Sequence, residues 1–154
     1  MDFIMADISN IQELTKMRIA YIKDEQNNIS DQEEQIMIKR LPEYFEKHLG
    51  KDLFAFVAKE NDKIVATAFL LVIEKPSNPH FINGLMGNVL NVYTMPPYRR
   101  KGISTKLLEN LILFAKEHRL DFIELKATKE GYSMYKDLGF KDYHSEYTDM
   151  RLFI

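Results

Sequence analysis

The sequence predicts a mixed α/β fold, α+β in arrangement, with a mostly antiparallel central sheet of about seven strands flanked by about four helices. Three observations carry that expectation. Segments rich in β-branched and aromatic residues first occur as a pair, 53–58 and 64–73, separated by the turn-forming run Glu60-Asn61-Asp62-Lys63, which predicts an antiparallel hairpin. Extended and helical patterns then alternate as far as residue 140. Two helix-start signatures, Ser9-Asn10-Ile11-Gln12 and Ser30-Asp31-Gln32-Glu33, precede stretches whose apolar residues return at helical spacing.

Taken in order, residues 2–8 alternate apolar and polar, as a first strand does. The first helix follows, with Ile11, Leu14, Arg18, Tyr21 and Ile22 in step. Polar residues 24–28 form a hinge. The second helix places Ile36, Met37, Leu41, Tyr44, Phe45 and Leu49 on one side and closes at Gly50. After the hairpin, Pro76 and Pro79 mark a loop, and a strand from 81, more securely from 86, runs to Thr94 and stops at Pro96-Pro97. The principal helix spans 102–118. A short strand at 121–127 and a short helix at 129–138 follow, Gly139 suits the left-handed residue that ends such a helix, and 140–147 and 148–154 are expected to form two last strands.

Composition narrows the function. A chain of 154 residues is long enough for a substantial core, and it is expected to be a single domain over 1–154. A hydrophobic share of 45%, 29% charged residues and a net charge of −2 are ordinary for a soluble protein and give no reason to expect nucleic acid or an anionic membrane as partner. With no cysteine, disulfides, thiolate metal sites and a cysteine nucleophile are excluded. His48, His80, His118 and His144 lack ligand spacing, so no metal is expected. The N-terminus carries acids where a signal peptide is basic, and no apolar run approaches membrane-spanning length, so a cytoplasmic protein is expected.

The chemistry concentrates between Asn91 and Leu113: an apolar strand, a proline turn, a basic loop with a glycine, then an amphipathic helix whose stripe is Ile103, Leu107, Leu108, Leu111, Phe114 and Ala115. Arg99, Arg100 and Lys101 stand where free backbone N–H groups and the positive end of the helix dipole also fall. Such a spot suits phosphate, and Gly102 lets a ligand approach the main chain. No Gly-x-x-x-x-Gly-Lys-Ser/Thr motif is present, which argues against a nucleotide triphosphatase.

Arg99-Arg100-Lys101-Gly102-Ile103-Ser104 resembles the Arg/Gln-x-x-Gly-x-Gly/Ala signature of the GNAT superfamily of acetyl-CoA-dependent N-acetyltransferases. Met134-Tyr135-Lys136-Asp137-Leu138-Gly139-Phe140 is similar to its Leu/Phe-Tyr-Glu-Lys-x-Gly-Phe segment, and the two occur in the family's order over roughly residues 90 to 140. Ser104 departs from the usual glycine or alanine with a hydroxyl small enough to spare a phosphate. The resemblance implies acetyl-CoA as co-substrate, its pyrophosphate held by the loop from Arg99 to Thr105. It further implies pantetheine pairing with main-chain groups of Val92, Tyr93 and Thr94, with a carbonyl-polarising N–H near Tyr93. Tyr135 is then the general acid for the departing thiolate. Thr128 falls where relatives often carry a cofactor-bonding asparagine, Gly131 where they often carry alanine, and Tyr132 and Lys136 flank the same helix within reach of the cofactor.

The resemblance thus implies transfer of acetyl to a primary amine of a small molecule, amino acid derivative or peptide. The acceptor pocket is expected between the first two helices and the fourth strand, with Tyr21, Tyr44 and Tyr93 contributing. Dimers are frequent in the family, so a homodimer is compatible. No base is assigned: Asn88 and Asn91 cannot serve, and Glu33, Glu34 and His80, which stand on the acceptor side, read better as ordinary surface residues. The competing reading is a non-catalytic acyl-CoA sensor or partner module; nucleic-acid binding through the basic triplet is disfavoured by the acidic net charge.

Overall fold

The computed structural model describes residues 1–26 and 28–154. One sheet holds the strands β1 (Asp2–Met5), β2 (Leu53–Glu60), β3 (Lys63–Glu74), β4 (Leu85–Thr94) and β5 (Phe122–Glu124) in the spatial order β1-β2-β3-β4-β5. Every pairing is antiparallel except β4 with β5, which is parallel. The helices are α1 (Ile11–Gln26), α2 (Asp31–His48), α3 (Ile103–Glu117) and α4 (Tyr132–Asp137). Among the described residues no helix is long and apolar enough to cross a membrane.

The period of two in β2 explains the layering. Phe56 and Ala58 join α3 residues Ile103, Leu107, Leu108 and Leu111 in one apolar cluster. Ala55 and Val57, pointing the other way, join Leu14 and Met17 of α1 and Phe45 of α2 in a second. The sheet is therefore covered on both faces, which accounts for the nearly continuous apolar reading of β2 and β3. Leu107, Leu108 and Leu111 are almost completely buried, so truncating any one to alanine costs about 2–5 kcal/mol.

The 60–63 turn is the predicted hairpin, with Asn61 and Asp62 at φ 51° and 62°, the left-handed pair of a type I′ turn. Ser30 and Glu33 cap α2 reciprocally as expected. The first capping box is different: Asp7, not Ser9, accepts the Ser9 N–H, and Asn10 answers from a short 3-10 turn (Ile8–Asn10) that leads into α1. An aspartate one turn earlier outcompetes the serine hydroxyl as acceptor. Helix α1 then continues through Asp24 to Gln26, where a hinge was expected; Asn27 lies outside the described residues.

Five strands stand where about seven were expected. Residues 140–154 form no ladder, and Leu152 and Phe153 are each 82% exposed. Alternating apolar residues give strand propensity, but ordering a strand needs pairing to an edge and a buried face, and this segment pairs with none of the sheet's edges and buries no face. The fifth strand is likewise shorter than the 121–127 expectation, and α4 begins at Tyr132 rather than 129. Gly139, at φ 97°, occupies the left-handed position expected after α4.

Candidate active site

Strand β4 creates the opening. It pairs with β5 only over Met86–Asn88, where Gly87 leaves space that a Cβ would take from Leu70, 2.5 Å away, and from Ile123 and Leu120. Beyond Asn88 the β5-side edge of β4 has no strand partner among the described residues, although β3 pairs with the opposite edge as far as Thr94. The cause is a bulge. Thr67 pairs with Tyr93 and Phe69 with Leu90, so β4 carries one residue more than β3, and Asn91 takes it up at φ 52°. Asparagine tolerates that conformation better than most residues, and a bulge bends and twists its strand.

Side chains lock the bulge. The Thr67 hydroxyl donates to the Asn91 carbonyl at 2.9 Å, and the Asn91 amide NH2 donates back to Thr67 Oγ1 at 2.9 Å. Arg18 Nη1 of α1 donates to Asn91 Oδ1 at 3.2 Å. Asn91 is only 2% exposed, and these bonds satisfy it. Sequence reasoning considered Asn91 only as a residue unable to act as a base; an asparagine inside an apolar strand was the available signal of a bulge.

After β4 the chain turns through Pro96–Tyr98 and reaches α3 by a loop with Arg100 at φ 63° and Gly102 at φ 74°. Gly102 is the N-cap of α3, no side chain caps it, and a Cβ there would meet nothing within 4 Å. The first-turn N–H groups are therefore open to an outside acceptor, at the positive end of the helix. Ile103 buries its side chain in the core and offers only its main chain. Ser104 and Thr94 share a hydroxyl hydrogen bond of 2.7 Å, tying the helix start to the end of β4.

The three cations do not converge. Arg99 turns back: its Nε donates to the Thr94 carbonyl at 2.8 Å, its Nη2 pairs with Asp24 of α1, and its guanidinium lies 5.6 Å from the Tyr93 ring centre. Lys101 sits 5.4 Å over the Tyr98 ring. Arg100 is exposed and makes no ion pair among the described residues, which leaves it as the cation free to meet an anion. Thr105 lines a groove of about 290 Å³ between α3 and α4 that also carries the Glu109 and Asp137 carboxylates. Lys106 lies 3.7 Å from the Glu109 carboxylate there, whereas the Gly102 face of the loop offers main-chain N–H groups at the start of α3.

Tyr135 of α4 is buried, 9% exposed, in the cluster that holds Val89, Ile103 and Leu107. Its ring rests edge-on against Phe140 at 5.8 Å. Gly131 makes room for it, since a Cβ there would stand 3.0 Å from Tyr135 Cε2. Burial first, then Tyr21 and Glu25 of α1, push the phenol up to about 12. Thr128 Oγ1 accepts the Gly131 N–H at 3.1 Å and so steadies the entry to α4. Tyr132 donates to the Asp142 carboxylate at 2.8 Å, with the Lys136 ammonium 5.7 Å over its ring; both are exposed.

On the α1–α2 face the Tyr21 and Tyr93 rings meet edge-on at 6.3 Å. A cavity of about 240 Å³ opens beside them, bounded by Arg18, Tyr44, Phe45, Phe69 and Leu90 among others. Glu33 and Glu34 are engaged elsewhere, in the α2 cap and in an ion pair with Lys23. His80 lies in the loop joining β3 to β4, at the Leu85 end of β4, roughly 30 Å of strand from Thr94. Among the described residues no group of three metal-ligating side chains converges.

Comparison with known proteins agrees with this arrangement. The family model described as "Acetyltransferase (GNAT) family" matches residues 16–140. No curated protein matches the chain in sequence. A predicted acetyltransferase from Clostridium acetobutylicum, solved with acetyl-CoA, is 32% identical, with a TM-score of 0.85 over 97% of this chain and 95% of that one. Two more distant structures share the fold. A GCN5-related N-acetyltransferase from Ralstonia eutropha is 21% identical, TM-score 0.80, over 97% of each chain. A glucosamine-6-phosphate N-acetyltransferase from Arabidopsis thaliana is 20% identical, TM-score 0.67, over 97% of this chain and 99% of that one. With its family model spanning the bulged β4, the uncapped α3 and the buried Tyr135, the chain belongs to the GNAT acetyltransferase family.

Proposed function

We propose that the protein is an N-acetyltransferase that moves acetyl from acetyl-CoA to a primary amine of a small molecule, amino acid derivative or peptide by direct attack. The observation that carries the proposal is the grouping, in one strand–loop–helix unit, of an unpaired β4 edge and an uncapped helix start, with a buried phenol packed against the same unit. When bound, acetyl-CoA supplies an acetyl thioester. The residues present fit it: the Gly102 face and Arg100 suit its pyrophosphate, and the free β4 edge at Val92–Thr94 suits its amide-bearing arm.

In the transfer the acceptor nitrogen forms the C–N bond, the C–S bond breaks with its electron pair going to sulfur, the nitrogen loses a proton to solvent, and sulfur gains one. A main-chain N–H of the free β4 edge, at Val92 or Thr94, polarises the carbonyl, since the Tyr93 and Met95 N–H groups face β3. Tyr135 meets the sulfur. At an ordinary phenol value near 10 full transfer to a thiolate whose thiol has a pKa near 8.5 would be uphill by only about 2 kcal/mol, but from about 12 it is uphill by roughly 5 kcal/mol. Tyr135 therefore acts chiefly by donating a hydrogen bond to the developing thiolate, and water completes the protonation.

The test follows free thiol release when the protein is mixed with acetyl-CoA and a panel of primary amines. Amine-dependent release with a matching acetylated product is expected. Cofactor binding without release for any amine would replace the enzyme reading with that of an acyl-CoA sensor.

A further inference from the structure

The mechanism above leaves one charged group unused. Arg18 projects from α1 into the 240 Å³ cavity, half-buried, and its only hydrogen bond among the described residues is the one from Nη1 to Asn91 Oδ1. No carboxylate pairs with it, whereas Lys23, Arg99 and Lys106 each have one. A guanidinium has five N–H donors, and no fully buried side-chain nitrogen or oxygen in the described structure lacks a partner. Arg18 is one of the residues that line the cavity, and its remaining donors are therefore open to solvent. Around them stand Leu41, Phe45, Leu53, Phe69 and Leu90, with Tyr44 as the other polar wall residue.

A lone cation in an apolar recess, fixed from behind by a buried asparagine, is costly unless an anion arrives to pair with it. We propose that Arg18 binds the carboxylate of the acceptor, so that the preferred substrate is a primary amine bearing a carboxylate on a short, apolar frame, of which an α-amino acid with a branched aliphatic side chain is the simplest form. The inference rests on the acetyl-transfer reading for its amine and on the Arg18 cavity for its anion.

Distance supports the pairing of the two ends. Arg18 Nη1 lies 3.2 Å from Asn91 Oδ1, and Asn91 directly precedes Val92, whose N–H faces the free edge because those of Tyr93 and Met95 face β3. A carboxylate on Arg18 thus leaves the α-amine of a small molecule on the side of Asn91 and the free β4 edge. Burial lowers the Arg18 pKa, as it does for a cation whose counter-charge is not built into the fold, yet an arginine stays protonated. Its planar fork matches a carboxylate in bidentate fashion, where a lysine would offer a point charge. The apolar wall accommodates the acceptor's side chain.

The experiment compares L-leucine, L-leucinamide and 3-methylbutylamine as acceptors, following thiol release and expressing kcat/KM per unprotonated amine. Leucine is expected to exceed the other two by about 10- to 100-fold, the usual effect of a charge-assisted hydrogen bond. In Arg18→Met that preference should collapse toward one, and Arg18→Lys should restore only part of it. Equal rates for the three amines, or a preference that survives Arg18→Met, would overturn the inference while leaving acetyl transfer intact. A calorimetric titration with N-acetyl-L-leucine and with its amide stands apart from turnover and needs only the wild-type protein. If no amine supports thiol release, the transfer reading fails, and this titration alone decides: tighter binding of the carboxylate keeps the anion site, and equal or absent binding removes it.

Discussion

The two sides of the β4 opening are built from different materials. On the side proposed for the cofactor the available parts are main-chain groups and backbone conformations: the free β4 edge, the left-handed Gly102 and the uncapped first turn of α3. On the acceptor side they are side chains held by other side chains: Arg18 by Asn91, Asn91 by Thr67, and Tyr21 against Tyr93. A ligand common to many relatives can be gripped by groups that every residue possesses. Selection among acceptors has to come from side chains, and so from positions that neighbouring sequence does not dictate.

Asn91 is where the two sides meet, and its replacement should have the largest effect. Asn91→Ala loses its hydrogen bonds to Arg18 and Thr67 and the short polar side chain that lets asparagine tolerate positive φ, so denaturant unfolding should show a loss of roughly 2–4 kcal/mol. Asn91→Gly keeps the conformation and should lose less. If the two variants are equally unstable, backbone strain contributes nothing and the bulge is held by hydrogen bonds alone.

Next in size, Tyr135→Phe should slow turnover by about 10- to 100-fold while the calorimetric affinity for acetyl-CoA changes little. Unchanged turnover would remove Tyr135 from the chemistry. A smaller effect separates the cations. Arg100→Ala should weaken acetyl-CoA about 10-fold, more so at low salt, whereas Arg99→Ala, which frees Asp24 and Tyr93 on the acceptor side, should act mainly on KM for the amine. The reverse pattern would place Arg99 with the phosphate.

The smallest expected effect is one of pH. Tyr135 works while protonated, and its pKa is raised to about 12, so its contribution is complete at lower pH and is lost only as pH climbs through about 12. A pH–rate profile should therefore rise as the amine deprotonates and show no fall near 10. A fall there would mean an unperturbed phenol, open to water.

The same division explains what could be read in the residues beforehand. Most of the proposed cofactor side lies within one window, Val92 to Thr105, with Thr128, Tyr132 and Lys136 beyond it. Cations, glycine and a helix start pointed to the loop, and the strand contacts came from the family resemblance alone. The locked bulge joins residues 18, 67 and 91, as much as 73 positions apart, and no local pattern links them. Arg99 was legible as a cation but not as one facing Asp24, because that depends on α1 continuing past its expected hinge. The expected C-terminal strands fail for a related reason: propensity is local, whereas a ladder requires long-range pairing, and residues 140–154 pair with no edge of the sheet.

The account stands or falls on calorimetric titration of the intact chain with acetyl-CoA. It predicts saturable binding at one site per chain, weakened about 10-fold by Arg100→Ala. Absence of binding, or binding indifferent to that substitution and to salt, would contradict an anion held at the start of α3.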